Sequence, residues 1–450
     1  MIPSSRRFNF PLPASSVTIS QQISESANQR ISESANQRIG ESASQRIGES
    51  ANQRVSESAS QRISESANQR ISESANQRIS ESASQRISES ANQRIGGPTD
   101  SVKHPRPRRQ TGPRITHPAS SFQLPASSPQ HPASDPPWEP GYRHLHCSGE
   151  LAERARVALA ALARCALCPR GCGVDRLNGG RGACGVGADP VIASWNVHPW
   201  EEPPISGTRG SGTIFFSGCT GKCRFCQNYP ISQFGYGNRV SIERFAEMML
   251  ELQGRGCHNI NFVTPTHFAP QILAAVDVAA AQGLHIPLVY NTSGYETIPA
   301  LRRLEGVVDI WLPDAKYADD ATARRISGFA GYVAHNRAAL REIYRQVGDA
   351  LILDAAGIAH RGMIIRHLVL PEGLAGTAEV LRWIAQTLSP RVHVSLMDQY
   401  FPAYKVLDDP ALGRKIRPEE YAAALDAFEA AGLENGWMQE YDETCGLDQV

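Results

Sequence analysis

The sequence predicts an α/β fold: a partial (β/α)6 barrel, with a small cysteine-rich N-terminal subdomain and a disordered repeat region before it. Three observations carry this. Beyond residue 206, short apolar runs alternate with stretches of helical periodicity. Each run ends in polar or unusual residues. Before residue 141 the chain has neither pattern. Apolar strands separated by helices imply a parallel sheet with right-handed crossovers, and six units are too few to close an eight-fold barrel.

In chain order, residues 1–96 contain an eight-residue unit, ISESANQR with small variations, repeated nine times from Ile23 to Arg94. Its apolar positions recur every four residues, as in Ile31 and Ala35. Such a stripe drifts about 40° per step around a helix and forms no lasting apolar face. One β-branched residue per unit buries too little surface to offset backbone entropy. Disorder is therefore expected. Residues 97–140, rich in Pro and Ser, read as a linker with polyproline character.

Residues 141–205 form the cysteine-rich subdomain, entered by a helix over Glu150–Ala163. Residues 206–450 form the barrel. Its strands are expected at Gly212–Ser217, Asn259–Thr264, Ile286–Asn291, Val307–Leu312, Met363–Leu370 and Val392–Met397. Helices are expected at Ser241–Leu252, with Ser241 as N-cap, and at Pro270–Gln282 and Glu296–Leu304. Two more fill Asp319–Val347, and the last two cover Thr377–Leu388 and Pro418–Ala431. Sheets of this kind place their chemistry at the carboxyl ends of the strands. There the sequence has Cys219, Pro265–Thr266–His267, Asn291–Thr292–Ser293, Pro313–Asp314, Pro371–Glu372 and Asp398–Gln399.

Composition narrows the function. The 45 Lys+Arg balance 45 Asp+Glu, which argues against a nucleic-acid partner, since polyanion affinity rests on excess basic charge. No window approaches the ~18 apolar residues of a membrane span. The opening segment lacks the apolar region of a secretory signal, so a cytoplasmic location is expected. Ten cysteines in 450 residues are too sparse for a disulfide scaffold, so their clustering carries the information.

Cys219, Cys223 and Cys226, in SGCTGKCRFCQN, follow the first barrel strand at spacing Cys-x3-Cys-x2-Cys. Three thiolates on one tight loop can hold three irons of a 4Fe–4S cluster and leave the fourth iron open. Gly218 and Gly221 let the loop curl closely. The alternatives are a zinc site with a distant fourth ligand and three unconnected thiols. Zinc loops generally use a two-residue gap within each Cys pair, so the three-residue gap favours iron.

This loop resembles that of radical S-adenosylmethionine (SAM) enzymes. The resemblance extends through EEPPISGTRGSGTIFFSGC, NFVTPTHFAPQI, LVYNTSGYE, DIWLPDAKY, MIIRHLVLP, SLMDQYFP and GLENGWMQE to a branch like the pyruvate formate-lyase activating enzyme, over roughly Ser148–Glu440. It implies a radical SAM barrel and reductive cleavage of SAM to methionine and a 5′-deoxyadenosyl radical, which takes a hydrogen atom from substrate. In that branch the substrate is a backbone glycine of a glycyl-radical enzyme; a member acting on a small molecule would carry the same motifs. The resemblance also implies a low-potential electron donor of flavodoxin or ferredoxin type. Phe225 would lie near the adenine. Thr264, Thr266 and His267 replace the glycine-rich motif that meets the SAM amino group. Asn291 and Ser293 are candidates for its ribose or carboxylate. Asp314 and Lys316 are candidates to face the substrate, with a surface ion pair as the plain alternative. One of Arg366 and His367, adjacent in a strand, must point inward; a buried Arg366 needs an acidic partner or the SAM carboxylate.

A second group, Cys165, Cys168, Cys172 and Cys184, lies in CALCPRGCGVDRLNGGRGACG. Its Cys-x2-Cys pair with more distant partners suits tetrahedral zinc. The same ligands can hold an auxiliary iron–sulfur cluster that relays electrons, and four thiols without a metal are the plain alternative. Cys257 reads as an ordinary buried thiol, and Cys445 lies in a polar tail. A reading of another class is a non-catalytic zinc-binding interaction module, which iron content and colour would exclude.

Overall fold

The computed structural model describes residues 138–438. The repeat region, most of the linker and Cys445 lie outside these residues.

Among the described residues ten strands form one sheet: β1 Val191–His198, β2 Ser211–Phe216, β3 Asn238–Arg239, β4 Ile260–Val263, β5 Leu288–Thr292, β6 Ile310–Pro313, β7 Ile352–Leu353, β8 Ala359–Leu368, β9 His393–Met397 and β10 Asn435–Met438. The main helices are α1 Gly141–Cys147, α2 Glu150–Ala160, α3 Ile242–Gly254, α4 Ala269–Ala281, α5 Ile298–Arg303, α6 Asp320–Ser327, α7 Tyr332–Val347, α8 Thr377–Thr387 and α9 Pro418–Ala431. The spatial order is β10-β9-β8-β6-β5-β4-β2-β1-β3, with β7 beside β8. The run β2, β4, β5, β6, β8, β9, β10 is parallel throughout. Six strand–helix units thus build an open, partial barrel, as expected. None of the described helices is long and apolar enough to cross a membrane.

The sheet's two faces follow from the period of two along a strand. In register across five strands lie Ile214, Phe262, Tyr290, Trp311 and Met363. All are buried and belong to the large core shared with the helices. Full burial of an Ile, Phe or Met side chain contributes roughly 1.5–3 kcal/mol, so this row helps hold sheet and helices together. The alternate positions face the barrel interior. Val289, Ile310 and Ile364 fill part of it, together with Ile205 and Leu312. Farther along, the interior positions are Asn291, Asp314 and Arg366. The apolar plug thus gives way to polar groups toward the carboxyl ends of the strands.

Capping explains several boundaries. Ser241 accepts a hydrogen bond from Arg244 N at 3.1 Å, as expected for its N-cap role. Asp319 does the same for α6 from Thr322 N at 2.6 Å. Helix α1 was not foreseen. It is anchored by the fully buried Tyr142, whose hydroxyl donates to Ile286 O at 3.0 Å. Tyr142, Leu151 and Ala158 join the same core cluster as the barrel helices. Strands β1 and β10 were also missed. VIASWNVH is partly exposed and runs antiparallel to β2, while NGWM is short and contains glycine. Neither reads as a buried apolar run.

Candidate metal and cofactor site

The loop after β2 carries Cys219, Cys223 and Cys226, and its backbone is held along its length. Lys222 N donates to Ser327 O at 2.8 Å and Arg224 N to Ile326 O at 2.9 Å, so the loop runs against the end of α6. Arg224 also pairs with Asp409 at 3.0 Å. Gly218 has φ +80°, and a Cβ there would meet Cys184 O at 2.6 Å. A Cβ on Gly221 would meet the Phe329 ring at 2.7 Å. The glycines are therefore required by close approach as well as by curvature.

The thiols are sheltered. Burial pushes the Cys219 thiol up to about 12 and raises that of Cys223, which the Lys316 ammonium partly offsets. Cys219 Sγ accepts Gly221 N–H at 3.2 Å, and Cys226 Sγ lies 3.2 Å from Ser232 Oγ. Buried thiols hold their protons until a metal displaces them. Among the described residues, no three His, Cys, Asp or Glu side chains gather tightly enough to share one metal ion. A three-thiol loop of this kind suits a multi-iron cluster, in which each sulfur binds a different iron, and the soft donor set fits iron–sulfur chemistry.

Phe225 is buried and meets Tyr400 edge to face, with ring centroids 5.4 Å apart. Behind the loop lies a buried ionic group. Arg366 Nε donates to Asp314 Oδ1 at 3.1 Å and its Nη2 to Asn291 Oδ1 at 2.6 Å. Lys316 Nζ pairs with Asp314 Oδ2 at 2.5 Å. The pair Asp314–Lys316 is thus interior rather than superficial. Burial alone would raise the Asp314 carboxyl, but Lys316 and Arg366 beside it hold it below the usual carboxylate range. Arg366 therefore has its acidic partner within the protein. His367, one residue on, faces the helices: its Nδ1 meets Ala315 O at 2.6 Å and its Nε2 Thr377 Oγ1 at 2.9 Å. Burial lowers it to about 4, so it is neutral.

The remaining candidates divide. Thr264, the residue after β4, has φ +60°, a strained conformation for a β-branched residue and a frequent mark of a functional turn. Its N–H donates to Asn291 O at 2.9 Å, which ties the two strand ends together. Ser293 accepts the Tyr332 hydroxyl on its carbonyl at 2.9 Å. Thr266 donates to Glu296 Oε1 at 2.5 Å, and the His267 ring meets Ser217 O through Nε2 at 2.8 Å. These two side chains brace the turn and the start of the cysteine loop.

The second cysteine group lies beside the first. Cys165, Cys168, Cys172 and Cys184 line one small cavity together with Leu167, Arg176 and His267. Cys172 Sγ accepts Ala183 N–H at 3.4 Å. Cys257, in contrast, is a buried thiol at a turn far from both groups in sequence.

Sequence reasoning missed Glu201, Glu202, Glu296, Arg170 and Arg176. Glu201 reaches within 3.8 Å of Arg366, and burial raises its carboxyl to about 7. The doubled acid before Pro203–Pro204 was the available signal. Arg170 and Arg176 stood between the cysteines, where basic residues would ordinarily be read as solvated.

Residues 213–348, from β2 through α7, match the model of the Radical SAM superfamily. An uncharacterized protein of Methanocaldococcus jannaschii is 29% identical over 290 residues, covering 62% of this chain and 79% of that protein. Among solved structures, a radical SAM methyltransferase from Sphaerobacter thermophilus aligns with TM-score 0.34 and 14% identity, over 50% of this chain and 66% of that one. Methylornithine synthase aligns with TM-score 0.34 and 14% identity, over 49% and 62%. The chain thus spans slightly under two thirds of each of these structures.

Proposed function

We propose, for a chain whose residues 213–348 form a Radical SAM superfamily domain, that Cys219, Cys223 and Cys226 hold a 4Fe–4S cluster and that the protein acts as a glycyl-radical-enzyme activating-type protein. The observation that carries the first part is the placement of three sheltered thiols on one tight loop at the carboxyl end of β2. Cluster and SAM together supply reductive cleavage of SAM to a radical that takes hydrogen from substrate.

The chain's own residues position and shield. Phe225 would flank the adenine. Thr264, Asn291 and Ser293, at neighbouring strand ends, would meet the polar groups of SAM, with Thr266 and His267 holding the turn. Asp314, Lys316 and Arg366 form a charged floor that is largely shielded from water, where electrostatic interactions are stronger than at an open surface. A low-potential donor of flavodoxin or ferredoxin type would supply the electron.

A polypeptide substrate is favoured by the rim of the cysteine loop. Tyr229 stacks on Tyr404 at 4.9 Å, and beside them Phe234 and Tyr236 are 56% and 65% exposed. Aromatic side chains exposed next to a site are typical protein-contact groups. A small-molecule substrate is the second reading. It is favoured by Glu202 Oε2, which is buried without a hydrogen-bond partner among the described residues and can receive a polar ligand.

The test is anaerobic. The protein is reconstituted with iron and sulfide, SAM and a strong reductant are added, and 5′-deoxyadenosine is quantified. Product that disappears in Cys223→Ala supports SAM cleavage; zinc in place of iron, with no product, overturns it. Phe234→Ser with Tyr236→Ser should leave basal cleavage intact and abolish radical formation on a glycyl-radical partner. Unchanged activation would move the reading to the small-molecule substrate.

A further inference from the structure

The four cysteines ahead of the barrel ring a cavity rather than converge on a point. Cys165, Cys168, Cys172 and Cys184 all line it, yet no three metal-ligating side chains among the described residues gather at single-ion spacing. Four thiolates around a space suit a multi-atom inorganic core, whereas tetrahedral zinc draws its sulfurs onto one atom.

The lining adds a second observation. Arg176 is 1% exposed. Its Nε and Nη2 donate to Gly187 O at 2.9 and 2.6 Å, and its Nη1 donates to His267 O at 2.7 Å and lies 3.9 Å from Cys165 Sγ. Its partners are carbonyls, a sulfur and the face of the Phe268 ring, 5.7 Å from its guanidinium carbon, and no carboxylate pairs with it among the described residues. A buried guanidinium without a counter-anion is costly, and thiolates carrying an anionic cluster would supply the missing charge. His267 also lines the cavity, and its Nδ1 is buried without a partner among the described residues.

The cavity is joined to the first cysteine loop. Arg170, between Cys168 and Cys172, donates from Nε to Thr220 O at 2.5 Å and from Nη2 to Gly328 O at 2.9 Å. Cys184 O packs against Gly218, and His267 bonds Ser217.

We propose that Cys165, Cys168, Cys172 and Cys184 hold a second iron–sulfur cluster, with Arg176 as its buried counter-charge and Arg170 and His267 fixing it beside the first loop. This stands independently of the substrate reading above.

The test uses the full chain carrying Cys219→Ala, Cys223→Ala and Cys226→Ala together, produced and reconstituted anaerobically. Iron, acid-labile sulfide and zinc are measured, with electron spin resonance after reduction. The expected result is iron and sulfide in equal amounts, about four of each per chain, with a cluster signal. One zinc without sulfide, or no metal in a folded chain, overturns the proposal. Should the triple variant fail to fold, Cys168→Ser with Cys172→Ser in the otherwise native chain decides. Iron falling to about half supports the proposal, and unchanged iron overturns it. Arg176→Gln should shift the second cluster's potential to more negative values, because a cation favours the reduced, more anionic state. An unchanged potential would remove Arg176 from the assignment.

Discussion

Arg366 Nε lies 3.1 Å from Asp314 Oδ1, inside the barrel and behind the cysteine loop. Lys316 closes on the other oxygen of the same carboxylate at 2.5 Å. One acid thus serves two cations, with Asn291 and Glu201 completing the group. Such an arrangement adds little to stability while intact, because desolvation offsets attraction, but it penalises the loss of any one member.

Asp314→Asn removes the carboxylate shared by both cations and leaves two half-buried cations facing each other, with only Glu201, 3.8 Å from Arg366, as a remaining ion-pair partner among the described residues. A loss of about 3–5 kcal/mol is expected. Chemical denaturation of the purified protein checks it. A midpoint unchanged from wild type would mean that water reaches this group and screens it.

Cys223→Ala should remove the first cluster and SAM cleavage together, because two thiols do not hold a cuboidal cluster with one open iron. Iron should fall by about four per chain. A variant with full iron content and unaltered 5′-deoxyadenosine production would sink the ligand assignment.

Gly218→Ala combines a left-handed backbone, φ +80°, with a Cβ placed 2.6 Å from Cys184 O and 2.7 Å from Val186 Cγ1. The backbone strain alone costs on the order of 1–3 kcal/mol. The methyl group would also push the two cysteine loops apart. Faster loss of iron on exposure to a chelator is the expected readout, and retention at the wild-type rate would contradict it.

Much of this was legible beforehand, for identifiable reasons. The parallel strands declare themselves because both their faces are buried, which leaves apolar runs. The period of two required Arg366 and His367 to face opposite sides, and they do: one meets Asp314, the other Thr377. Strand β1 was hidden because an antiparallel strand near the sheet edge needs only half an apolar pattern. Glu201 and Arg176 were hidden for another reason. Burial of a charge depends on partners distant in the chain, and nothing local to EEPP or GVDR announces Arg366 or the carbonyl of His267.

Glu296 supplies the pH dependence. It is fully buried, and both Thr266 Oγ1 and Thr292 Oγ1 donate to its Oε1 at 2.5 Å, while Oε2 has no partner among the described residues. Burial raises its carboxyl from 4.5 to about 7, against the smaller opposing effect of the two hydroxyls. The folded chain therefore keeps a proton that the unfolded chain loses near pH 4.5. Below that pH both states are protonated, and the group's contribution is fully present. Between about 4.5 and 7 the folded state binds more protons, so stability falls as pH rises. Above about 7 the loss is complete. It is on the order of 3–4 kcal/mol at most, at 1.36 kcal/mol per pH unit. Glu296→Gln keeps the acceptor for both threonines and removes the titration. Its unfolding free energy should be flatter than wild type between pH 5 and 7, and higher at pH 7.5. Denaturant titrations of the two proteins across that range decide the point. Parallel pH profiles would show that Glu296 is ionised in the fold and has a cation or water beside it.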